Sequence, residues 1–306
     1  MSLRPVFAKT MASVGKNDEN LVVIVGDISH GLLKEFRSEF PNRYFNIGIS
    51  EPGMVNVAAG LSAMGLIPVI HTITPFLIER SYEQIKLDFA YQKLGANFIS
   101  VGGSFDYSKL GCSHHCYTDY SLMSKFETCD VYFPGSEVEF KSIFEAVYNN
   151  GRINYFRLSE NPHHQVINAQ QIEPGKSVQI TQGEDLTIVT IGGLLDRVVR
   201  VADTLSAEGH SCEVIYLHTL KPIDLSAIIG SLSKTKRLLV VEENYFRDGI
   251  YSEINNAAAG SLTYSKAQLA ITDFIREYGS YEALSAAAGL SEEDIYLRAK
   301  QLLAGR

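Results

Sequence analysis

The stretch FNIGISEPGMVNVAAGLSAMGLIPVI, residues 45–70, decides the fold. It opens strand-like, passes through Glu51-Pro52, and continues as MVNVAAGLSAMG (54–65) with apolar residues at helical spacing and Gly65 as a natural C-cap. IPVIHTI (67–73) is again strand-like. Strand, helix, strand at this spacing implies a βαβ crossover, and therefore a parallel sheet.

The same rhythm extends both ways. LVVIVGD (21–27) reads as a buried strand stopped by Gly26-Asp27, SYEQIKLDFAYQ (81–92) as an amphipathic helix, and NFISVGG (97–103) as a further strand. VYFPGS (131–136), the helical EVEFKSIFEAVYNN (137–150) and INYFRLS (153–159) continue it. Residues 160–183, with Pro162, Pro174, Gly175 and Gly183, break the alternation and read as a linker. It then restarts: DLTIVTIGG (185–193) as a strand, LLDRVVRVADTLSAEG (194–209) as a helix, SCEVIYLHTL (211–220), RLLVVEE (237–243) and QLAITDF (268–274) as strands, and a last helix near 291–304. The expected fold is α/β in two domains, 1–170 and 171–306, each a mostly parallel sheet flanked by helices. Gly192-Gly193 follows a strand but lacks the full GxGxxG spacing of a dinucleotide turn.

Composition narrows the function. A chain of 306 residues, 45% hydrophobic and 20% charged, is ordinary for a globular protein of two domains. It has no apolar run of about 18 residues that could span a bilayer, and MSLRPVFAKT lacks the apolar core of a signal peptide, so a cytoplasmic location is the default. A net charge of −8 without any Lys/Arg block argues against a nucleic-acid surface. Four cysteines without a spaced framework predict reduced thiols.

Two places carry candidate chemistry. GCSHHC (111–116) gathers two thiols and two imidazoles, yet structural zinc sites take ligands as separated pairs and no second pair exists, so no metal is assigned here. A Cys-His nucleophile is compatible with the composition but not signalled by spacing. Otherwise the segment is a polar loop after a strand, at the sheet edge where ligands bind in parallel folds. Glu51 stands at a helix start before Pro52, where a carboxylate is electrostatically favoured even without a chemical role.

The segments FNIGISEPGMVNVAAGLSAMGLIPVI and PFLIERSYEQIKLDFAYQKL resemble the pyrimidine-binding domain of the transketolase family of thiamine diphosphate enzymes, which includes 1-deoxyxylulose-5-phosphate synthase. GCSHHCYTDYSLM is similar to that family's G-P-T-H-Q loop, and DLTIVTIGG through HTLKPID and LLVVEENYFRDGI resembles its C-terminal domain. The resemblance covers nearly the whole chain.

What it implies is specific. Glu51 would hydrogen-bond pyrimidine N1′ and drive the tautomerisation by which the cofactor's own imino group deprotonates thiazolium C2. Phe76 would stack on the pyrimidine, with Tyr82 as a candidate neighbour, and Asp27 would lie near the cofactor, although it suits a turn equally well. His114 falls on the substrate-facing histidine and Asp119 on the aspartate of the same loop; His115 and Cys116 depart from the family's Gln and Pro. Arg80 and Arg157 fit arginines that face the distal end of phosphorylated substrates. Where transketolases carry L-S-R-Q-N, this chain has Leu158-Ser159-Glu160-Asn161, so a carboxylate replaces a phosphate-facing arginine. The expectation is an unphosphorylated substrate or one bearing a different group, unless His163 and His164 compensate.

The GDG-x(25–30)-N motif that holds Mg²⁺ or Ca²⁺ on the diphosphate is absent from the sequence. The resemblance therefore implies a split enzyme: a separate diphosphate-binding subunit supplies the metal site, in an α2β2 assembly with a homodimeric core. The expected activity is transfer of a two-carbon ketol unit from a ketose to an aldehyde acceptor, His114 serving the substrate. A 2-oxoacid dehydrogenase E1 β-type subunit and a non-catalytic structural subunit are the alternatives.

Overall fold

The computed structural model describes residues 2–305. Six strands come from the first half: β1 Leu21–Val25, β2 Tyr44–Asn46, β3 Ile67–Ile73, β4 Ala96–Val101, β5 Cys129–Tyr132 and β6 Ile153–Leu158. Six come from the second: β7 Val178–Thr181, β8 Leu186–Ile191, β9 Cys212–Leu217, β10 Thr219–Lys221, β11 Arg237–Tyr245 and β12 Ser265–Ile271. They form two sheets, ordered β10-β5-β6-β4-β3-β1-β2 and β12-β11-β8-β9-β7. Among the described residues only two strand pairings are antiparallel, β10 with β5 and β7 with β9. Strands β1, β4, β5 and β6 are buried along their whole length, as expected of parallel strands covered by helices on both faces.

Topology fixes where a ligand can sit. After β1 the chain steps outward to β2, then returns to place β3 on the other side of β1, a reversal that opens a crevice at the carboxyl ends of these strands. Asp27 follows β1, Glu51 follows β2, and Phe76 follows β3, so three of the candidates share that edge.

The helix Glu51–Ala63 begins where the sequence predicts, with Pro52 in its first turn and Met54, Val55, Ala58 and Ala59 buried at helical spacing. The amphipathic segment 81–92 departs from a regular helix. One α-turn, Tyr82–Gln84, leads into wide π-helical turns at Ile85–Ala90, and another π-turn occupies Pro75–Glu79. Ile85 and Phe89 still face the core, which is all the hydrophobic spacing demanded.

Two readings of the second half are corrected. SCEVIYLHTL is not one strand: β9 ends at Leu217, and past the buried His218 the chain leaves its own sheet to pair β10 with the open edge of β5. The expected linker contains β7, in which only Val178 is buried, as suits an edge strand. The helices Arg4–Asn17, Leu225–Thr235, Ile250–Ala258 and Tyr281–Ala287 are additions to the sequence reading.

The halves interlock through polar groups. Glu139, fully buried, receives the Tyr216 hydroxyl and bonds His163 Nε2, both at 2.7 Å. Burial pushes this carboxyl up, but hydrogen bonds from His163, Gly135 and Tyr216 outweigh it and hold the group below its ordinary value. Lys221 Nζ reaches the carbonyl oxygens of Ser124 and Phe126, at 2.8 and 2.5 Å. Among the described residues no helix is long and apolar enough to cross a membrane.

Candidate active site

Four predicted residues converge at the carboxyl edge of the first sheet. Glu51, only 2% exposed, accepts a hydrogen bond from Arg80 Nη1 on Oε2 at 2.7 Å. The Arg80 guanidinium also lies over the Phe76 ring, 4.3 Å from its centroid. The two sit together because of the π-turn: the Arg80 N–H bonds the Pro75 carbonyl, five residues back, at 3.0 Å, and the widened turn carries both Phe76 and the arginine that spans from it to Glu51. His114 completes the group, its ring 5.2 Å from Phe76 in an edge-to-face arrangement.

The loop that carries His114 is held at three points. Ser104 and Cys116 exchange both backbone hydrogen bonds, at 2.7 and 2.8 Å, closing its base. Glu79 Oε1 accepts from the Thr118 hydroxyl at 2.5 Å and from Cys116 Sγ at 3.4 Å. Gly111, at φ +75°, makes the turn into the loop in a left-handed backbone conformation that favours glycine. Within the loop, a 3₁₀ turn at Cys112–His114 sets the Ser113 hydroxyl 3.0 Å from His114 Nδ1.

The motif's other members face elsewhere. Cys112 is exposed while Cys116 is buried, and burial, then the nearby Asp119 and Glu79 carboxylates, pushes the Cys116 thiol well above its ordinary value. His115 is buried with Nδ1 2.9 Å from the Tyr117 hydroxyl; burial first, and the neighbouring His114 second, lower its pKa. All four cysteines are free, and among the described residues no group of three or more His, Cys, Asp or Glu side chains is gathered to hold a metal ion.

Asp119 and Arg157 form a second, internal group. Asp119 is fully buried, its Oδ2 accepting from the Tyr155 hydroxyl at 2.6 Å and its Oδ1 from Arg157 Nη1 at 3.2 Å. Arg157 crosses the Phe133 ring at 3.7 Å from its centroid and comes within 3.5 Å of Asn244 Oδ1. Its stem passes so close to Gly103 that a Cβ there would lie 2.0 Å from it.

The remaining candidates are dispersed. Tyr82 stacks on Phe126 at 5.1 Å and its hydroxyl bonds the Leu122 carbonyl at 3.2 Å, so it braces the helix Asp119–Ser124. Asp27, at φ 57°, exchanges hydrogen bonds with Asn46 across the ends of β1 and β2, its N–H to Oδ1 at 3.1 Å and its Oδ1 from Nδ2 at 3.2 Å. Glu160 lies 3.9 Å from Arg4, its Oε1 buried without a hydrogen-bond partner. His163 is enclosed between the halves, and His164 is exposed against Asp196 at 2.8 Å, so neither joins Glu51 and His114.

Sequence reasoning missed Arg4, Glu79, Tyr107 and Asp106. Tyr107 stands 6.4 Å from the His114 ring, and Asp106 accepts from the Glu160 N–H at 3.0 Å and Asn161 Nδ2 at 2.8 Å. No local pattern marks them, because each is brought in by a loop closure or by the N-terminal helix.

A buried glutamate at a helix start, an aromatic face and a loop histidine thus lie together at a switch point in a parallel sheet, where ligands bind in folds of this kind. Residues 1–163 match the family model "Transketolase, pyrimidine binding domain" and residues 175–295 match "Transketolase, C-terminal domain". The chain belongs to the transketolase family, whose members depend on thiamine diphosphate.

Relatives agree over most or nearly all of the length. The chain is 25% identical, over 98% of its length and 94% of the relative's, to the 6-deoxy-6-sulfo-D-fructose transketolase subunit SqwH of Clostridium sp. (strain MSTE9). It is 27% identical, over 84% of its length and 83% of the relative's, to an apulose-4-phosphate transketolase subunit of Actinobacillus succinogenes. A solved structure described as a split gene transketolase, inactive beta4 tetramer, superposes with a TM-score of 0.91 at 26% identity, over 99% of both chains.

Proposed function

We propose that this chain is the pyrimidine-binding and C-terminal subunit of a split, thiamine diphosphate-dependent transketolase that moves a two-carbon ketol unit from a ketose to an aldehyde acceptor. The observation that carries this reading is the convergence of buried Glu51 with Phe76 and His114. The pair suits an aminopyrimidine: a carboxylate shielded from water and a phenyl face, both at present engaged by a planar nitrogen cation, Arg80. When bound, thiamine diphosphate supplies a nucleophilic carbon that accepts the ketol unit. Glu51 holds the proton at N1′, Phe76 orients the ring, and the burial around Glu51 excludes water from that hydrogen bond.

His114, on its clamped loop, moves protons at the substrate's hydroxyl and carbonyl oxygens, a task its residue type suits. Asp119 and Arg157, paired internally, support the end of the loop that carries His114, and Glu160 sets a negative charge where a phosphate would otherwise be welcomed. Tyr82, held against Phe126 and the Leu122 carbonyl, and Asp27, tied to Asn46, stand outside this cluster and take no direct part in it.

A separate diphosphate-binding subunit would bring Mg²⁺ or Ca²⁺ and the diphosphate site, in a cytoplasmic α2β2 assembly. Relatives that carry transketolase names favour ketol transfer over oxoacid decarboxylation and over a purely structural role. The test mixes the chain with a transketolase-type diphosphate-binding subunit from the same organism and assays ketol transfer, 2-oxoacid decarboxylation, and each subunit alone. Transfer that needs both subunits supports the proposal; full transfer by this chain alone, or decarboxylation in its place, overturns it.

A further inference from the structure

Arg80 makes, with one side chain, both contacts that the proposed function assigns to the cofactor's aminopyrimidine. Its Nη1 donates to Glu51 Oε2 at 2.7 Å, as a protonated ring nitrogen would, and its planar guanidinium covers Phe76 at 4.3 Å, as a stacked ring would. We propose that Arg80 is an internal occupant of the pyrimidine seat, which the incoming cofactor must displace. This inference rests on the thiamine diphosphate reading given above.

The two partners differ in what they lose when they separate. The Glu51 side chain is 2% exposed and the Arg80 side chain 46% exposed. Arg80 returns readily to water, whereas Glu51 has no such outlet: a carboxylate at that depth is strongly disfavoured unless something donates to it. Arg80 supplies that donor, and the cofactor would exchange with it partner for partner. Glu51 is then never left without a donor.

The backbone permits the swing. Arg80 lies at the end of the π-turn Pro75–Glu79, and the Pro75 carbonyl fixes its N–H while the long side chain stays free to change rotamer. Phe76 stays in place on the same turn. Displacement therefore needs one side-chain rotation and no movement of the helix.

An internal competitor lowers apparent affinity by the fraction of molecules in which the seat is open. It also stabilises the cofactor-free chain. Both effects can be read without turnover, on the assembled complex with its diphosphate-binding subunit, using thiamine diphosphate with Mg²⁺ as the probe. Calorimetric titration of Arg80→Ala should show binding on the order of 10-fold tighter than wild type. Its melting temperature should be lower than wild type without cofactor, and its rise on adding cofactor larger. Arg80→Lys keeps the charge without the plane and should fall between the two.

Two results would sink the proposal in different ways. If wild type binds and both variants, folded by circular dichroism, bind no tighter, Arg80 does not compete for the seat. If neither wild type nor variants bind thiamine diphosphate, the cofactor reading itself fails, and this inference with it.

Discussion

The Asp119 carboxylate is buried between the Tyr155 hydroxyl and the Arg157 guanidinium, 2.6 and 3.2 Å away, beneath the loop that carries His114. Removing one member of a buried ion pair leaves the other uncompensated, which costs about 3–5 kcal/mol. Arg157→Met should therefore destabilise the chain by that order in urea denaturation. Replacing Asp119 by Leu in the same chain should recover part of the loss, and a cycle showing simple additivity would mean the two charges are not coupled.

Glu51→Gln should fold normally, because a glutamine oxygen can still accept from Arg80, but it cannot hold a proton at a ring nitrogen. Ketol transfer by the assembled enzyme should fall by about 10²–10⁴-fold, the usual contribution of a positioned acid or base. Steady-state rates near wild type would remove Glu51 from the mechanism.

His114 and its neighbour His115 should separate cleanly. His114 stands beside Phe76 at the cluster, and His114→Asn should depress kcat/KM for the ketose with little change in melting temperature. His115 packs inside against Tyr117, and His115→Asn should do the reverse. Melting curves and kinetics on both variants decide it.

Stability should carry two opposing pH dependences. His71, fully buried with Nδ1 donating to the Ile99 carbonyl, has its pKa lowered from 6.5 to about 4 by burial, against that hydrogen bond. The unfolded chain then binds this proton first, so the contribution is complete above pH 6.5 and is lost as pH falls toward 4. Asp106 is raised from 3.8 to about 7 by burial, with the Glu160 N–H opposing and Glu243 adding to the rise. Here the native chain binds the proton first, so the strain of an ionised Asp106 is present above pH 7 and relieved as pH falls toward 3.8. Relative to wild type, His71→Gln should make stability at acid pH rise, and Asp106→Asn should make it fall more steeply, in melting curves taken from pH 4 to 7.

Glu160 should repel a phosphate at the distal end of the substrate. With matched pairs, the assembled enzyme is expected to prefer the ketose over the ketose phosphate, and Glu160→Gln should narrow that preference mainly through KM. A strong wild-type preference for sugar phosphates would count against placing Glu160 at that end.

The parts of the fold read from sequence were those with a local period. The short apolar runs LVVIV, IPVIHTI and LTIVTI mark buried strands whatever lies beside them, and Gly65 and Pro52 punctuate one helix at both ends. The N-terminal helix went unread, although Pro5 lies in its first turn and Phe7, Met11 and Val14 are buried at helical spacing. The π-turns were hidden because side-chain spacing records which face is buried, not how many residues complete a turn.

In the site, Glu51, Phe76 and His114 were legible because each stands in a short ordered motif. That Arg80 pairs with Glu51, 29 residues away, and that Arg157 is internal rather than exposed, depend on how strand ends are brought together. Asp106 gave no local signal, since its environment is made by Glu160, Asn161 and Glu243 from distant segments.

The short strand β10 has a consequence for how the chain can be taken apart. The family models meet this protein as consecutive modules, 1–163 and 175–295, and suggest a cut between them. The edge of the first sheet is nevertheless closed by Thr219–Lys221, deep inside the second module. A fragment ending near residue 170 would expose β5 as a bare, hydrophobic edge open to pairing with other chains. In this protein the unit that recurs across the family is smaller than the unit that must be synthesised to stay monodisperse.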